Sequence, residues 1–332
     1  MAKIREIFKR PVTEGEIGIE IEAEGIHLPR AVKGFNRVAD GSLRGSSCEY
    51  VFASPRSRDD FMDSLDELGK AYHSAGTVLF ETYRTSSHVH INMQEESMTT
   101  VYNMLMLYMM FEEYLVKYCG EYREGNLFCL RIRDAEASFH EIILAAQNQS
   151  WARAFRTDDL RYGAVNVKAL STYGSLEFRA MRGTKDLSCI VVWVKLLLAL
   201  KDAAKRYENP IEIIHDISME GSRGLAEKVF GDLLPELPLA GDWDKVVFQN
   251  MRELQDLAYC VDWGSMEKKI SARVPDNRWK EMDVDDLVRI DPERLDQEDL
   301  LMFMEALEDH ELDLDDLEIE RDGWEDDGGA GI

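Results

Sequence analysis

The sequence lacks long hydrophobic runs and paired cysteines. Its most apolar run, residues 190–200, is too short to cross a bilayer and contains Lys195. The N-terminal residues also lack the apolar segment of a signal peptide. The five cysteines are scattered and form no CxxC pair, which excludes a zinc knuckle and gives no sign of a disulfide framework. We therefore expect a cytoplasmic protein with reduced thiols and no membrane partner.

Positive charge is scarce as well. The formal net charge is −25 over 332 residues, but residues 281–332 alone hold 22 Asp or Glu against three Arg. The rest of the chain is only mildly acidic, and it offers no basic surface for a nucleic-acid backbone. The chain also has no GxxxxGK[ST] motif, which argues against a P-loop NTPase.

The change in composition predicts two regions. Residues 1–273 form a body whose hydrophobic content is enough for a sizeable core, and residues 274–332 form an acidic, partly disordered tail. Within the body we expect a short strand pair over 77–83 and 88–92 and further strands over 162–170 and 175–181. Long buried helices are expected over 97–119 and 186–207. Asn209-Pro210 should end the second helix, and further helices should occupy the remainder, 206–273. The tail is interpreted as a solubilising appendage; the alternative is that it covers the active site.

The strand predicted over residues 16–24 alternates isoleucine with glutamate. Because successive strand residues point to opposite faces, Glu20, Glu22 and Glu24 share one face and lie about 7 Å apart. Ile17 and its neighbours at i+2 and i+4 form the other face. A half-buried strand with a solvated acidic face would show the same pattern.

Two further predicted strands carry polar groups. Glu49 is a single carboxylate in an apolar strand, where acidic residues are seldom buried unless they are paired or bind a metal. His88, His90 and Asn92 share one strand face, where two imidazoles can reach one metal or phosphate. The alternatives are a strand-end glutamate that faces water and an ordinary core histidine.

The last of these strands places Glu177 and Arg179 on one face. The pair could be a structural salt bridge. Taken together, however, the four strands supply carboxylates and imidazoles, which suit Mg²⁺ or Mn²⁺. The arginine indicates a phosphate held against those metals.

These motifs, in this order, resemble the carboxylate–amine ligases related to glutamine synthetase and glutamate–cysteine ligase. More narrowly they resemble the putative amidoligase enzymes of phages and bacteria. The matching segments lie within residues 14–205 and include 18–22, 40–42, 49–55, 87–92, 161–166 and 176–183. The resemblance implies an α+β fold with an antiparallel, glutamine-synthetase-like sheet that carries the catalytic residues on one face and is packed by long helices.

The resemblance also implies roles for individual residues. The metal ligands would be Glu20, Glu22, Glu49, His88 and Glu177. Arg179 and Arg161 would be catalytic, with Arg179 stabilising the transferring phosphoryl group. His90, Asn92 and Arg179 would contact the nucleotide.

The implied function is a ligase that uses ATP with Mg²⁺ or Mn²⁺ to join a carboxylate to an amine through an acyl phosphate. Two alternatives are a metal-dependent amide hydrolase with the same ligands and a noncatalytic binding protein. The partners would be carboxylate- and amine-bearing substrates, whose identity stays open, as does the oligomeric state. Glu16, Glu24 and Glu81 are candidate general bases. Cys48 is expected on the core face and is not a nucleophile.

Overall fold

The structure is a computed structural model that describes residues 2–156, 160, 163–238, 243–266, 303 and 307. The chain divides into two compact units, Met1–Ser271 and Ala272–Ile332. The predicted disorder of the acidic tail lies almost wholly outside the described residues. Arg161 also lies outside them.

The centre of the first unit is an antiparallel sheet of seven strands. Six of them follow the order β2-β3-β1-β5-β7-β6, and β4 pairs with the far end of β1. The strands are β1 (Ile17–Ile26), β2 (Phe35–Val38), β3 (Ser47–Phe52), β4 (Val78–Phe80), β5 (Ser86–Asn92), β6 (Val165–Asn166) and β7 (Ser175–Arg182). The predicted α+β class with an antiparallel sheet is confirmed.

The helices of the described residues are α1 (Ile4–Ile7), α2 (Phe61–Ala75), α3 (Met98–Cys119), α4 (Glu136–Asn148), α5 (Trp151–Ala154), α6 (Lys168–Tyr173), α7 (Leu187–Ala204), α8 (Pro210–Phe230), α9 (Trp243–Phe248) and α10 (Met251–Ala258). Of these, α3 contacts β7 and α7 contacts β5, and together they cover one face of the sheet. None of the helices in the described residues has both the length and the apolarity needed to cross a membrane.

The two long apolar helices predicted from the sequence are α3 and α7. Ser97 caps α3 by accepting the backbone N–H of Thr100, and Asp186 caps α7 in the same way for Ser188. Both helices are apolar nearly all round because each is buried between the sheet and other helices. Helix α3 packs on β7, where the rings of Tyr108 and Phe178 lie 5.3 Å apart.

The alternation of β1 therefore has a simple cause. Ile17, Ile19 and Ile21 are at most 2 % exposed on the helix-covered face, so Glu20 and Glu22 must lie on the opposite, open face. Burial of apolar area under α3 and α7 fixes which face of the sheet is left for chemistry.

Three local predictions are wrong. Residues 162–170 do not form one strand, because β6 is only Val165–Asn166 and Lys168 already begins α6. Asn209-Pro210 was expected to end α7, but these residues begin α8. The Asn209 side chain accepts the backbone N–H of Ile211, and proline is tolerated in the first turn of a helix. Strands β4 and β5 do not pair with each other; each pairs with β1.

Candidate active site

The predicted metal ligands meet on the open face of four neighbouring strands. The sheet register places Glu20 opposite His88, Glu22 opposite Glu49 and His90 opposite Glu177. Directly opposed residues of antiparallel strands project to the same face. The register therefore brings together side chains that are up to 157 positions apart in the sequence, as Glu20 and Glu177 are.

His88 lies at the centre of this group. Its Nδ1 is 3.3 Å from Glu20 Oε2 and 3.4 Å from Glu177 Oε1, and its Nε2 is 3.8 Å from Glu22 Oε1. Two sets of possible ligands result, Glu20–His88–Glu177 and Glu22–Glu49–His88, each with its ligand atoms within 4.8 Å of one another. Such mixed carboxylate–imidazole sets fit Mg²⁺ or Mn²⁺.

Hydrogen bonds orient the imidazole ring of His88. Ser86 donates its hydroxyl (2.6 Å) and its backbone N–H (2.8 Å) to Glu22 Oε2. The same hydroxyl oxygen lies 2.8 Å from His88 Nε2, and since its hydrogen goes to Glu22, it accepts the Nε2 proton. On the other side of the ring, Nδ1 lies 3.3 Å from Glu20 Oε2, a contact that a metal ion held by Glu20 and Glu177 would replace.

The carboxylates of the second set repel one another. Burial, followed by the charges of Glu20, Glu22 and Asp40, raises the pKa of Glu49 to about 8. Burial also raises the pKa of Glu22. A divalent cation would remove this repulsion by binding the ionised oxygens, so the donor set fits a metal on electrostatic as well as geometric grounds.

Glu20 and Glu177 behave in the opposite way. Burial alone would raise the pKa of each, but the histidines beside Glu20, and His90 and Arg179 beside Glu177, outweigh it. Both pKa values therefore lie below the ordinary range. Asn166 also holds Glu177, by donating from Nδ2 to Oε2 at 2.6 Å. Glu20 and Glu177 are consequently ionised and oriented before a cation arrives.

Arg179 projects onto the same face at an irregularity in β7. One extra residue of β7 lies between the pairs Ser87–Met181 and Val89–Phe178, which is a β-bulge. The Arg179 guanidinium donates to Glu177 Oε1. Beneath the bulge, the buried Arg123 donates to the carbonyl oxygens of residues 179 and 180. The sequence analysis did not select Arg123, since an arginine that binds only backbone carbonyls leaves no pattern.

The cluster forms the floor of an open cavity of about 480 Å³. The lining includes further residues that the sequence analysis did not assign to the site, namely Asp40, Ser42, Arg84, Ser86, Phe128, Asn166, Lys168 and Tyr173. Three of these residues lie within the segments that resemble the amidoligase family, and that resemblance could have marked them as site residues: Asp40, Ser42 and Asn166. Ser86 begins β5, and the others come from loops and from α6, which only the fold brings to this face.

A second cavity of about 390 Å³ adjoins the first along the strands. Glu20, His90 and Tyr173 line both cavities, with the rings of His90 and Tyr173 5.6 Å apart and edge to face. The second cavity is less acidic, because Glu16 on its wall is bound by Arg58 and Lys201. The site can therefore hold two ligand groups on either side of the Glu20–His90 wall.

Other predicted residues lie elsewhere or have other partners. Asn92 lines only the second cavity; its Nδ2 donates to the carbonyls of Thr13 and Gly15, and its Oδ1 accepts from Gln94. These bonds hold the N-terminal segment, so contact between Asn92 and a nucleotide stays a prediction. Cys48 is buried on the core face, as expected.

The three candidate general bases do not line the first cavity. Burial would raise the pKa of Glu16, but Arg58 and Lys201 lower it to about 2. Glu24 accepts the backbone N–H of Arg44, and Glu81 accepts that of Lys185. None of the three is placed to accept a proton in that cavity.

The fold and the site are those of an α+β protein with a candidate divalent-cation centre on the open face of its sheet. Residues 47–201 match the family described as "Putative amidoligase enzyme". The family name denotes enzymes that form amide bonds. No curated protein matched the chain. The matched segment contains Glu49, His88 and Glu177, whereas β1, with Glu20 and Glu22, precedes it and completes the same cluster.

Proposed function

We propose that the protein is an ATP-dependent carboxylate–amine ligase that uses Mg²⁺ or Mn²⁺. The observation that carries this proposal is the combination of two adjoining metal-ligand sets with Arg179 on one sheet face, within a chain that matches the amidoligase family. A hydrolase of the same fold would need the metal ligands but would have no use for a phosphate-binding arginine.

The side chains that would hold the metal ions are those of the two ligand sets. Mg-ATP bound there would supply the γ-phosphoryl group that activates the acid as an acyl phosphate with release of ADP, so that the amine could displace phosphate and form the amide. His90 and Arg179 would face the phosphates. Arg179 can stabilise charge that develops in the transition state because Glu177 and the bulge fix its guanidinium in advance.

The attacking amine must lose a proton, and Asp40 is the candidate acceptor. Five carboxylates line the first cavity within the described residues, and Asp40 is the one that belongs to neither ligand set. It is only partly buried, and its Oδ1 accepts the backbone N–H of Ser42 at 2.7 Å. Asp40→Asn should lower kcat at least about 100-fold while ATP binding is retained.

ATP binding is the first test because it needs no knowledge of the acid or the amine. Calorimetry with and without Mg²⁺ should show metal-dependent binding to the wild type that Glu20→Gln and Glu177→Gln abolish. Glu141→Gln, on the exposed side of α4, is the matched control and should bind as the wild type does. A folded protein that binds Mn²⁺ but no ATP would contradict the ligase proposal and favour an amide hydrolase.

A further inference from the structure

Two arginines converge on one backbone carbonyl at the edge of the first cavity. Arg84 Nη1 and Arg44 Nη1 each lie 3.4 Å from the carbonyl oxygen of Ser42, so the two nitrogens are at most twice that distance apart. Arg44 Nη1 also donates to the carbonyl of Leu43, at 3.1 Å. Ser42 and Arg84 line the cavity together with Glu22 and Glu49.

Within the described residues, neither guanidinium is paired with a carboxylate. No carboxylate oxygen there lies within 4.0 Å of a guanidinium nitrogen of Arg44 or Arg84. Arg58 shows how this protein pairs an arginine: it donates two bonds to Glu16 and two to Asp202, at 2.5–3.0 Å. A guanidinium has five N–H donors, and these two use only carbonyl oxygens, mostly at long distance. Two like charges held this close, with donors to spare, favour binding of an oxyanion between them.

A buried carboxylate fixes both loops in place. Glu24 is 6 % exposed; it accepts the backbone N–H of Arg44 at 2.8 Å and the hydroxyl of Thr82 at 3.2 Å. The Thr82 hydroxyl oxygen in turn accepts the backbone N–H of Arg84 at 3.2 Å. The Arg84 guanidinium lies over the ring of Tyr83, 5.2 Å from its centroid. The two arginines therefore belong to a built arrangement and are not merely long surface side chains.

We propose that Arg44 and Arg84 bind a second oxyanion, a carboxylate or phosphate, on the acid substrate. This inference rests on the proposed function, since the reacting carboxylate would lie at the metal ligands and the second oxyanion at the arginine pair. Arg84 lines the same cavity as the metal ligands, and Arg44 reaches the edge of that cavity at the Ser42 carbonyl. The substrate class is thus an acid with two anionic groups rather than a monocarboxylic acid.

Calorimetry on the full-length protein, with Mg²⁺ and a non-hydrolysable ATP analogue, tests the substrate class. The probes are dicarboxylates from succinate to pimelate, phosphonocarboxylates of the same lengths, and the corresponding monocarboxylates. At least one doubly anionic acid should bind about tenfold or more tightly than its monocarboxylate, the size of one charge-assisted hydrogen bond or more. The series that shows the preference tells whether the second group is a carboxylate or a phosphate.

Variants connect that preference to the two arginines. Arg84→Gln and Arg44→Gln should each remove most of it, Arg84→Lys should retain part of it, and Arg30→Gln, an exposed change of equal charge, should leave it intact. Thermal unfolding checks that each variant is folded. Arg84→Lys keeps the charge and serves as the readout if Arg84→Gln does not fold.

Four results would overturn the inference: equal affinity for the mono- and dianionic acids, no binding of any acid, a preference that survives the Arg→Gln changes, or a loss confined to the ATP analogue. The last would mean that the arginines bind nucleotide phosphate. An arginine-dependent preference in a protein that binds no ATP would support the anion site and contradict the proposed ligase.

Discussion

Replacing Glu49 with glutamine should stabilise the metal-free protein while weakening its metal site. Burial and the neighbouring carboxylates raise the pKa of Glu49 to about 8, against 4.5 in the unfolded chain. Between these pH values the folded protein keeps a proton that the unfolded chain has released. Stability therefore falls as the pH rises from about 4.5 to about 8 and changes no further above it. Glutamine does not ionise, so the variant escapes this loss.

The size of the effect follows from the two pKa values. Their difference corresponds to about 5 kcal/mol when it is fully expressed. Glu49 is only half-buried, and allowing for the solvent that reaches it leaves about 2 kcal/mol. The variant should thus match the wild type near pH 4.5 and exceed it by about 2 kcal/mol at pH 9.

Urea unfolding in EDTA, followed by the fluorescence of the six tryptophans, measures this difference from pH 5 to pH 9. Glu141→Gln makes the same chemical change on an exposed helix face and should show no such trend. Adding Mn²⁺ should raise the stability of the wild type more than that of Glu49→Gln, since only the wild type has the full ligand set. A gain that does not depend on pH, or one that the control shares, would refute the electrostatic reasoning.

Three other changes test the surroundings of the site. Asn166→Ala removes the bond that orients Glu177 and should weaken Mn²⁺ binding about 10- to 100-fold in a calorimetric titration, whereas unchanged affinity would show that Glu177 needs no support. Lys201→Met leaves two oxygen acceptors, Glu16 Oε1 and the Asn92 carbonyl, without their buried cation. The free energy of unfolding should fall by about 3 kcal/mol while the Mn²⁺ affinity stays unchanged; loss of Mn²⁺ binding would contradict a purely structural role for Lys201. Gly183→Ala would place a Cβ 2.4 Å from Thr85 Oγ1 and 3.0 Å from the Thr85 backbone, so denaturant unfolding should show a loss of about 1–3 kcal/mol. Gly41→Ala, with open space around it, is its control; equal stability of the two variants would contradict the steric argument.

The proposed metal site also explains why the sequence keeps carboxylates that repel one another in the folded protein. Carboxylates such as Glu22 and Glu49 face each other across paired strands, an arrangement that costs stability in the metal-free protein. Proteins keep such destabilising groups where activity depends on them. The raised pKa of Glu49 is thus best understood together with the metal that its neighbours would share.

The pattern of apolar and polar residues is sufficient to assign the faces of the strands. Alternation in β1 and β5 assigns Glu20, His88 and His90 to the side away from the apolar core, because a strand has a period of two and the isoleucines must be buried. The long apolar helices α3 and α7 were equally readable, since helices that are apolar all round must be buried. Short elements were not: β6 has two residues, too few to carry a pattern, and its place depends on pairing with β7.

Which of these side chains meet depends on how the strands pair in the folded protein. The register sets Glu20 opposite His88 and Glu22 opposite Glu49, and no local pattern specifies a register between strands that are distant in the chain. Glu24 follows the same strand pattern but does not join the cluster of carboxylates, because in the folded protein it is buried under the loops that carry Arg44 and Arg84. A strand pattern gives the face of a residue, but its partners depend on loops and pairings that form only when the chain folds.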